Sequence, residues 1–560
     1  MSDSGSVADA QFAVSRRNAW IGIALLAVAA SITGVLNGFA LDDVLVILRN
    51  PRLHSLARAW RVFAETYWPV AQGASLYRPL SSLGFSVQWA IGGGSPVPFH
   101  VFSILLYAFA CVAFYELAIP LVPPAAALAA AAIFAVHPLH VEAVANVVGQ
   151  AEVWTALVIF VTVAWYIRAR RRGPLRPSQI GGFALAYLVA CGFKEHGIIL
   201  PALLLVAEFT VTEPGRSRWA RLRSLVPLML TLAMTGAMFI VLRTAIIGGV
   251  KGAGLNELLR GQPFDTRFFT MLRVIVEWVR LFFWPANLSA DYSPHRITIA
   301  TTFDSGMLPG VLVILGVTAI AVAVRQSKPA ITFGILWAAL ALLIPSNLLV
   351  VTGFVLAERT LFLASAGVAL CIGVVALDAW QAMAGRGPVI TRAAVGVFCL
   401  ILLAGLARSA SRGPVWRDDD SLIRQTLEDA PSSYRAHWMM SFRLTELNRT
   451  SEALDEMDLA VMLGQRDDVM LLAYAGDLFS VAGRCPRALS LYRRALPLAA
   501  WNIQLRVNTS MCLLNIGKIT EARSIALGAY PADVNDPRLR NVVALSDSLL
   551  RAHGTSAAGR

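Results

Sequence analysis

A chain of 560 residues that is 57% hydrophobic, 15% charged and +13 in formal net charge, with mean hydropathy +0.62, is neither disordered nor an ordinary soluble enzyme. Disordered chains lack that apolar content, and soluble domains carry about 25% charged residues. Nearly all of the excess hydrophobicity lies before Arg408, and the charge divides at almost the same place. From Ser411 onward stand 18 basic and 17 acidic residues, which leaves 30 basic against 18 acidic before it.

The first apolar run covers 19–40 and reads as an uncleaved anchor. Arg16-Arg17 before it puts the N-terminus in the cytoplasm, and a twin-arginine export signal fits less well because the run is too long. Further runs follow at 101–115, 121–136, 153–167, 306–324, 329–355 and 361–377. Weaker ones lie at 179–193, 196–212, 224–242 and 393–406. Together they predict a polytopic all-α membrane domain over residues 1–410, with about eleven spans of roughly 20 residues each. Arginine clusters at 168–172 and 216–223, Arg325 with Lys328, and Arg386 with Arg392 fall in short loops that this count puts on one side. That is the positive-inside pattern, so the basic balance needs no nucleic acid as a partner. The expected setting is a multi-pass protein of an inner or plasma membrane, in contact with its lipids. Four cysteines, Cys111, Cys191, Cys371 and Cys399, lie in spans as small apolar residues, and Cys485 with Cys512 makes no disulfide framework.

Ionisable residues at span ends are the functional candidates. Asp42-Asp43 follows the first span directly, on the side opposite the arginine loops. Two adjacent carboxylates followed by apolar sequence make a poor lipid anchor and suggest a site. His137-Pro-Leu-His140-Val-Glu142 opens the segment after the third span. It would accept a divalent metal, but the loose spacing and the proline favour hydrogen bonding to a polar substrate. Asn146, Gln150 and Glu152 extend a polar wall along the same stretch. Basic groups gather on the same side in Tyr77-Arg78-Pro79, Lys194-Glu195-His196 and Glu358-Arg359. Lys194 and Arg359 each stand beside an acid, so ion pairs within these dipeptides compete with a role in holding an anionic lipid headgroup such as a phosphate. Asp291-Tyr-Ser-Pro-His295 is a weaker candidate in the second long outer loop, and residues 267–284 before it predict an amphipathic helix along the interface.

Beyond Trp416 the pattern becomes helical and repeats. Asn448-Arg-Thr-Ser-Glu-Ala453, Gly483-Arg-Cys-Pro-Arg-Ala488 and Gly517-Lys-Ile-Thr-Glu-Ala522 align, their alanines recurring after 35 and then 34 residues. This is the tetratricopeptide period. It predicts an outer, extracytoplasmic α-solenoid over 411–560, with repeats around 434–468, 469–502 and 503–534 and a capping helix at 535–552. Residues 420–430, before Pro431, read as the second helix of a preceding repeat.

In this order, the Asp pair, Tyr77-Arg-Pro-Leu80, His137-Pro-x-His-x-Glu-Ala-Val-Ala-Asn-Val-Val-Gly149, Lys194-Glu-His-Gly197, Glu358-Arg-Thr-Leu-Phe-Leu-Ala-Ser365 and a tetratricopeptide tail resemble one family. They look like the transmembrane and tetratricopeptide-repeat O-mannosyltransferases of the GT-C glycosyltransferase superfold, with a short repeat array and the arginine-rich, lysine-poor usage of a bacterial chain. The resemblance implies transfer of mannose or another hexose from a polyprenyl-phosphate sugar to a hydroxyl of a protein or glycan acceptor, on the non-cytoplasmic face. It implies inverting displacement without an obligatory cofactor, with Asp43 or Asp42 as the base and Asp43 narrowly preferred. Arg78, Lys194 and Arg359 would hold the lipid phosphate, with Glu195 and Glu358 beside them, while His137, His140 and Glu142 shape the sugar and acceptor site. Two other classes stay open. A non-catalytic scaffold would depend on the repeat domain alone, and a flippase of lipid-linked sugars would place charges at mid-membrane with pseudo-symmetric halves.

Overall fold

The computed structural model describes residues 14–69, 76–212, 217–248, 259, 261–292, 297–464, 468–528 and 536–557. Among them every regular element is helical. The chain forms two compact units, one of residues 1–290 with 299–425 and the other of 291–298 with 426–560.

In the first unit eight helices are long and apolar enough to cross a membrane: Arg16–Gly34, Val97–Ala118, Val147–Arg172, Glu195–Thr212, Trp219–Ile247, Ser305–Ala323, Glu358–Ala384 and Pro388–Trp416. A ninth results if Pro124–Val136 and Pro138–Ala145, bent by 51°, count as one span. The protein is therefore a multi-pass membrane protein, with fewer full-length spans among the described residues than the eleven expected. The difference lies in two short helices, Pro177–Phe193 and Pro329–Leu343. The second was expected to run to Val355. It stops because Pro345 cannot continue a helix, and Asn347 then turns left-handed at φ 56. The Asn347 side chain fixes that bend by donating to the carbonyls of Pro345 and Phe354, both at 3.1 Å, and accepting from the Thr352 amide at 2.7 Å. Residues 267–284 also form a helix as expected, Phe264–Phe283, which is not among the spans.

Helix ends of the first unit carry two charged clusters. Glu116 takes Arg16 and Arg168, and Glu208 takes the buried Arg170. These pairs join the ends of Arg16–Gly34 and Val97–Ala118 to the arginine-rich end of Val147–Arg172, and that end to Glu195–Thr212. The second cluster, drawn from residues at the starts of Pro79–Gly92, Glu195–Thr212 and Glu358–Ala384 and from the bent segment with Glu142, is the candidate site below.

Pro329–Leu343 and Phe362–Ala384 cross through glycines. A Cβ on Gly334 would meet the Gly367 carbonyl oxygen at 2.6 Å, and one on Gly367 would run into the Gly334 carbonyl. Trp337 Nε1 donates to the Leu363 carbonyl at 2.8 Å across the same crossing. Small residues that let backbones touch are how membrane helices associate. Gly367→Ala is therefore expected to cost about 1–3 kcal/mol through overpacking, read as a lower melting temperature of the purified protein in detergent.

The second unit repeats as the alanine spacing requires. First helices begin at Tyr434, Val469 and Ile503, and second helices at Thr450, Cys485 and Ile519. The caps repeat as well: the side chains of Ser433, Asp468 and Asn502 accept from the amides of Ala436, Leu471 and Leu505. Asn448, Gly483 and Gly517 occupy equivalent turns, all with φ between 59° and 77°, which explains glycine or asparagine there. Ala453, Ala488 and Ala522 are fully buried where paired helices cross. Asp419–Asp429 is helical, and the last helix is Pro537–Ala557, while Asn535 lies outside the described residues.

Candidate active site

The site begins where the first apolar run stops being helical. Beyond Gly34 the chain is tied to residues 413–417: Asn37 Nδ2 donates to the Gly413 carbonyl at 3.0 Å, and the Gly38 amide to the Arg417 carbonyl at 2.7 Å. Leu41 then adopts φ 54, a left-handed conformation that a bulky residue rarely takes. Asp419 holds it there by accepting the Leu41 amide at 2.7 Å.

This turn separates the two aspartates. Asp43 is 1% exposed, and its carboxylate oxygens accept the amides of Val147 at 3.0 Å and Val148 at 2.8 Å. It fastens the break that precedes the helix Gln150–Arg172. Asp42 leaves 21% of its side chain accessible and faces Arg359 Nη2 at 3.3 Å.

Arg359 joins Asp42 to Glu142. Its Nη1 donates to Glu142 Oε1 at 2.7 Å and its own amide to Glu142 Oε2 at 2.9 Å. Phe354 lies under the guanidinium at 4.8 Å. Arg78, directly before the helix Pro79–Gly92, pairs with Glu195 Oε2 at 2.8 Å and covers the Tyr67 ring at 5.1 Å. Lys194 pairs with Glu152, whose other oxygen takes His196 Nδ1 at 3.3 Å. Lys194 also feels the charges of Arg78 and Arg359, so the three cations belong to one field. Burial lowers the Lys194 ammonium below the usual lysine value, with Glu152 opposing. Burial would lower Arg78 too, but Glu195, Tyr67 and Glu152 together outweigh it and raise the guanidinium.

The pairing differs from the dipeptide reading. Lys194 does not use Glu195, and Glu358 accepts the Ser289 amide at 2.7 Å while Arg359 turns to Glu142. Each cation is fixed by a carboxylate remote in sequence.

Asp42, Glu142, Arg359, Arg78, Glu195 and Lys194 are thus brought together. His137 and His140 spend their nitrogens elsewhere. His137 accepts the Leu139 amide and bonds the Phe282 carbonyl at 3.0 Å. His140 lies between the Tyr107 hydroxyl at 2.9 Å and the Ser365 hydroxyl at 2.8 Å. Among the described residues no three His, Cys, Asp or Glu side chains converge as metal ligands, and the His137, His140 and Glu142 set does not fit one. Asp291 accepts the Ser433 hydroxyl at 2.6 Å in the second unit, and His295 lies outside the described residues.

The residue reading left Tyr67 and His196 without roles and gave Glu152 only a place in a wall. A carboxylate in the second turn of an apolar span was the available signal, since such a charge requires a partner.

Burial raises the Asp43 carboxyl to about 8 from an ordinary 3.8, against the lowering by the Val148 and Val147 amides. Its folded value therefore exceeds its unfolded one. The contribution to stability is complete below the unfolded value near 3.8 and is lost as pH rises through about 8. Asp43→Asn removes one of the two acceptors facing those amides and should cost about 1–3 kcal/mol. Melting curves from pH 5 to 9 should show this penalty shrinking as pH rises, because only the wild type titrates; a pH-independent difference would contradict it.

No family model matches the chain. It is 26% identical over 429 residues to a protein O-mannosyl-transferase of Caenorhabditis elegans, covering 74% of this chain and 58% of that protein. It is 25% identical over 428 residues to protein O-mannosyl-transferase TMTC3 of Homo sapiens, covering 70% and 45%. Protein O-mannosyl-transferase Tmtc2 of Drosophila melanogaster is 33% identical over 280 residues, 47% of this chain and 29% of that one. The chain thus spans about half the length of the curated relatives it matches. These comparisons bear out the resemblance drawn from the motif order.

Proposed function

We propose that this relative of the TMTC-type protein O-mannosyl-transferases is a membrane glycosyltransferase that moves a hexose from a polyprenyl-phosphate carrier to an acceptor hydroxyl. The observation that carries the reading is the accessible Asp42 carboxylate, presented by a strained Leu41 and aligned by Arg359 at 3.3 Å, within a field of three fixed cations. Asp42 is the better base than Asp43, whose oxygens are both engaged by amides and whose burial favours the protonated form near neutrality.

The acceptor oxygen bonds to the anomeric carbon from the face opposite the phosphate, so the configuration inverts. The bond from that carbon to the phosphate oxygen breaks, its electrons stay on the lipid phosphate, and Asp42 takes the hydroxyl proton. Arg78, Lys194 and Arg359 meet the charge on the departing phosphate. Their glutamate partners keep them oriented before substrate arrives, which is where electrostatic catalysis gains most. The reaction runs on the non-cytoplasmic face of an inner or plasma membrane, opposite the arginine-rich loops. Residues 1–410 supply the chemistry, and the repeats within 411–560 engage a protein acceptor.

The test is transfer of labelled mannose from polyprenyl-phosphate mannose to serine- and threonine-containing peptides by the purified full-length protein, with other hexosyl carriers in parallel. Labelled peptide is the expected product. Translocation of the carrier across vesicles without any transfer would replace this reading by the flippase.

A further inference from the structure

Several buried polar atoms around the Asp42 cluster have no hydrogen-bond partner. They are the Tyr67 hydroxyl, both amide atoms of Asn146, Glu195 Oε1 and His196 Nε2. Tyr67 and His196 are each 3% exposed and Asn146 is 0% exposed, so bulk water does not serve them. Leaving such a group unpaired is costly, so several in one region need an explanation.

Their surroundings fix these groups while leaving the polar atoms unspent. The Tyr67 amide bonds the Leu76 carbonyl at 2.7 Å, and Arg78 and Phe85 hold its ring. The charges acting on its hydroxyl are those of Arg78, Asp42, Asp43 and Arg359, the groups of the proposed transfer site. Asn146 stands four residues after Glu142, which grips Arg359, and immediately before the two amides that grip Asp43. His196 faces a carboxylate through Nδ1, which leaves Nε2 as its unspent atom, an acceptor when the ring is neutral.

The mixture of atoms identifies the ligand chemistry. A phosphate accepts hydrogen bonds, so it would use donors only. Here Asn146 Oδ1, Glu195 Oε1 and His196 Nε2 accept, while Asn146 Nδ2 donates and the Tyr67 hydroxyl does either. Mixed donors and acceptors, with no cation among them, suit a polyol, each of whose hydroxyls both donates and accepts. We infer that Tyr67, Asn146 and His196 form a hydroxyl-reading subsite for the hexose of the donor, separate from the cations that take its phosphate. This rests on the transfer reading of the Asp42 cluster and assigns residues to the sugar rather than to the leaving group.

The experiment measures binding, so it does not depend on turnover. The full-length protein is titrated with polyprenyl phosphate, with its mannosyl, glucosyl, galactosyl and N-acetylglucosaminyl forms, and with monodeoxy forms of the tightest. In wild type at least one glycosylated carrier should bind about tenfold or more tighter than the bare carrier. Tyr67→Phe, Asn146→Leu and His196→Asn, whose amide keeps a donor towards Glu152, should each lose most of that advantage without weakening the bare carrier. Each variant should be insensitive to the one deoxy donor whose missing hydroxyl it would have read. Tyr67→Phe without ligand should melt no lower than wild type, because its hydroxyl has no protein partner to lose. The inference is overturned if no hexose improves binding in wild type, or if the variants weaken bare and glycosylated carriers equally, as groups solvated by structural water would. Asp42→Asn separates the two readings, since lost transfer with intact sugar-dependent binding supports the base whatever these variants do.

Discussion

Asp42→Asn is expected to lower the rate of hexose transfer about 100- to 10,000-fold, the range for removing a positioned general base, with donor binding nearly unchanged. Asparagine is isosteric and still accepts from Arg359 Nη2, so the Arg359–Glu142 arrangement survives the substitution. What disappears is the one carboxylate of the adjacent pair that is both accessible and not occupied by backbone amides. Asp43→Asn supplies the contrast, because it should cost stability while keeping most of the transfer rate at a temperature where the variant is folded. Comparing single-turnover rates of the two variants with labelled donor decides the matter. If Asp42→Asn kept half the wild-type rate while Asp43→Asn lost it, the roles would be reversed.

Replacing Arg359 should have the largest effect on stability. Glu142 is buried, and Arg359 is its only ion-pair partner among the described residues. Arg359→Met leaves that carboxylate with the residue 359 amide alone, and breaking a buried pair from one side typically costs about 3–5 kcal/mol. It also removes the cation that aligns Asp42, so transfer should fall together with the melting temperature. Arg359→Lys should rescue little, since one ammonium cannot reach Glu142 and Asp42 with the geometry of a planar fork. The double variant Glu142→Gln with Arg359→Met distinguishes the two effects. Removing the stranded charge should recover much of the stability but none of the activity, as read by melting in detergent beside the transfer assay. Recovery of both would reduce Arg359 to a structural element.

The apolar runs and the helical repeat were legible in the residues themselves. Apolar runs near the length of a bilayer require helices there, because an unpaired backbone is not tolerated in hydrocarbon. The 35- and 34-residue spacing of Ala453, Ala488 and Ala522 required stacked helical pairs, since only small residues fit where the helices cross. Both are properties of short segments, and both reappear in the folded chain. The span count was less secure, because an apolar stretch such as 329–355 does not show by hydropathy alone that Pro345 and Asn347 end its helix.

Partner choice belonged to the tertiary structure. The sequence placed Lys194 and Arg359 beside acids, but the adjacent acid is not the one used: Lys194 takes Glu152, and Arg359 takes Glu142 and Asp42, while Glu195 goes to Arg78. Nor could adjacent aspartates be told apart by type. Their difference arises because Asp419, 378 residues from Leu41, holds that residue left-handed, and because the amides of Val147 and Val148 are free to take one carboxylate. Hydrophobic length and repeat spacing act locally and survive in the sequence. The reach of a charged side chain and the exposure of a carboxylate depend on which distant helix ends meet, and packing alone decides that.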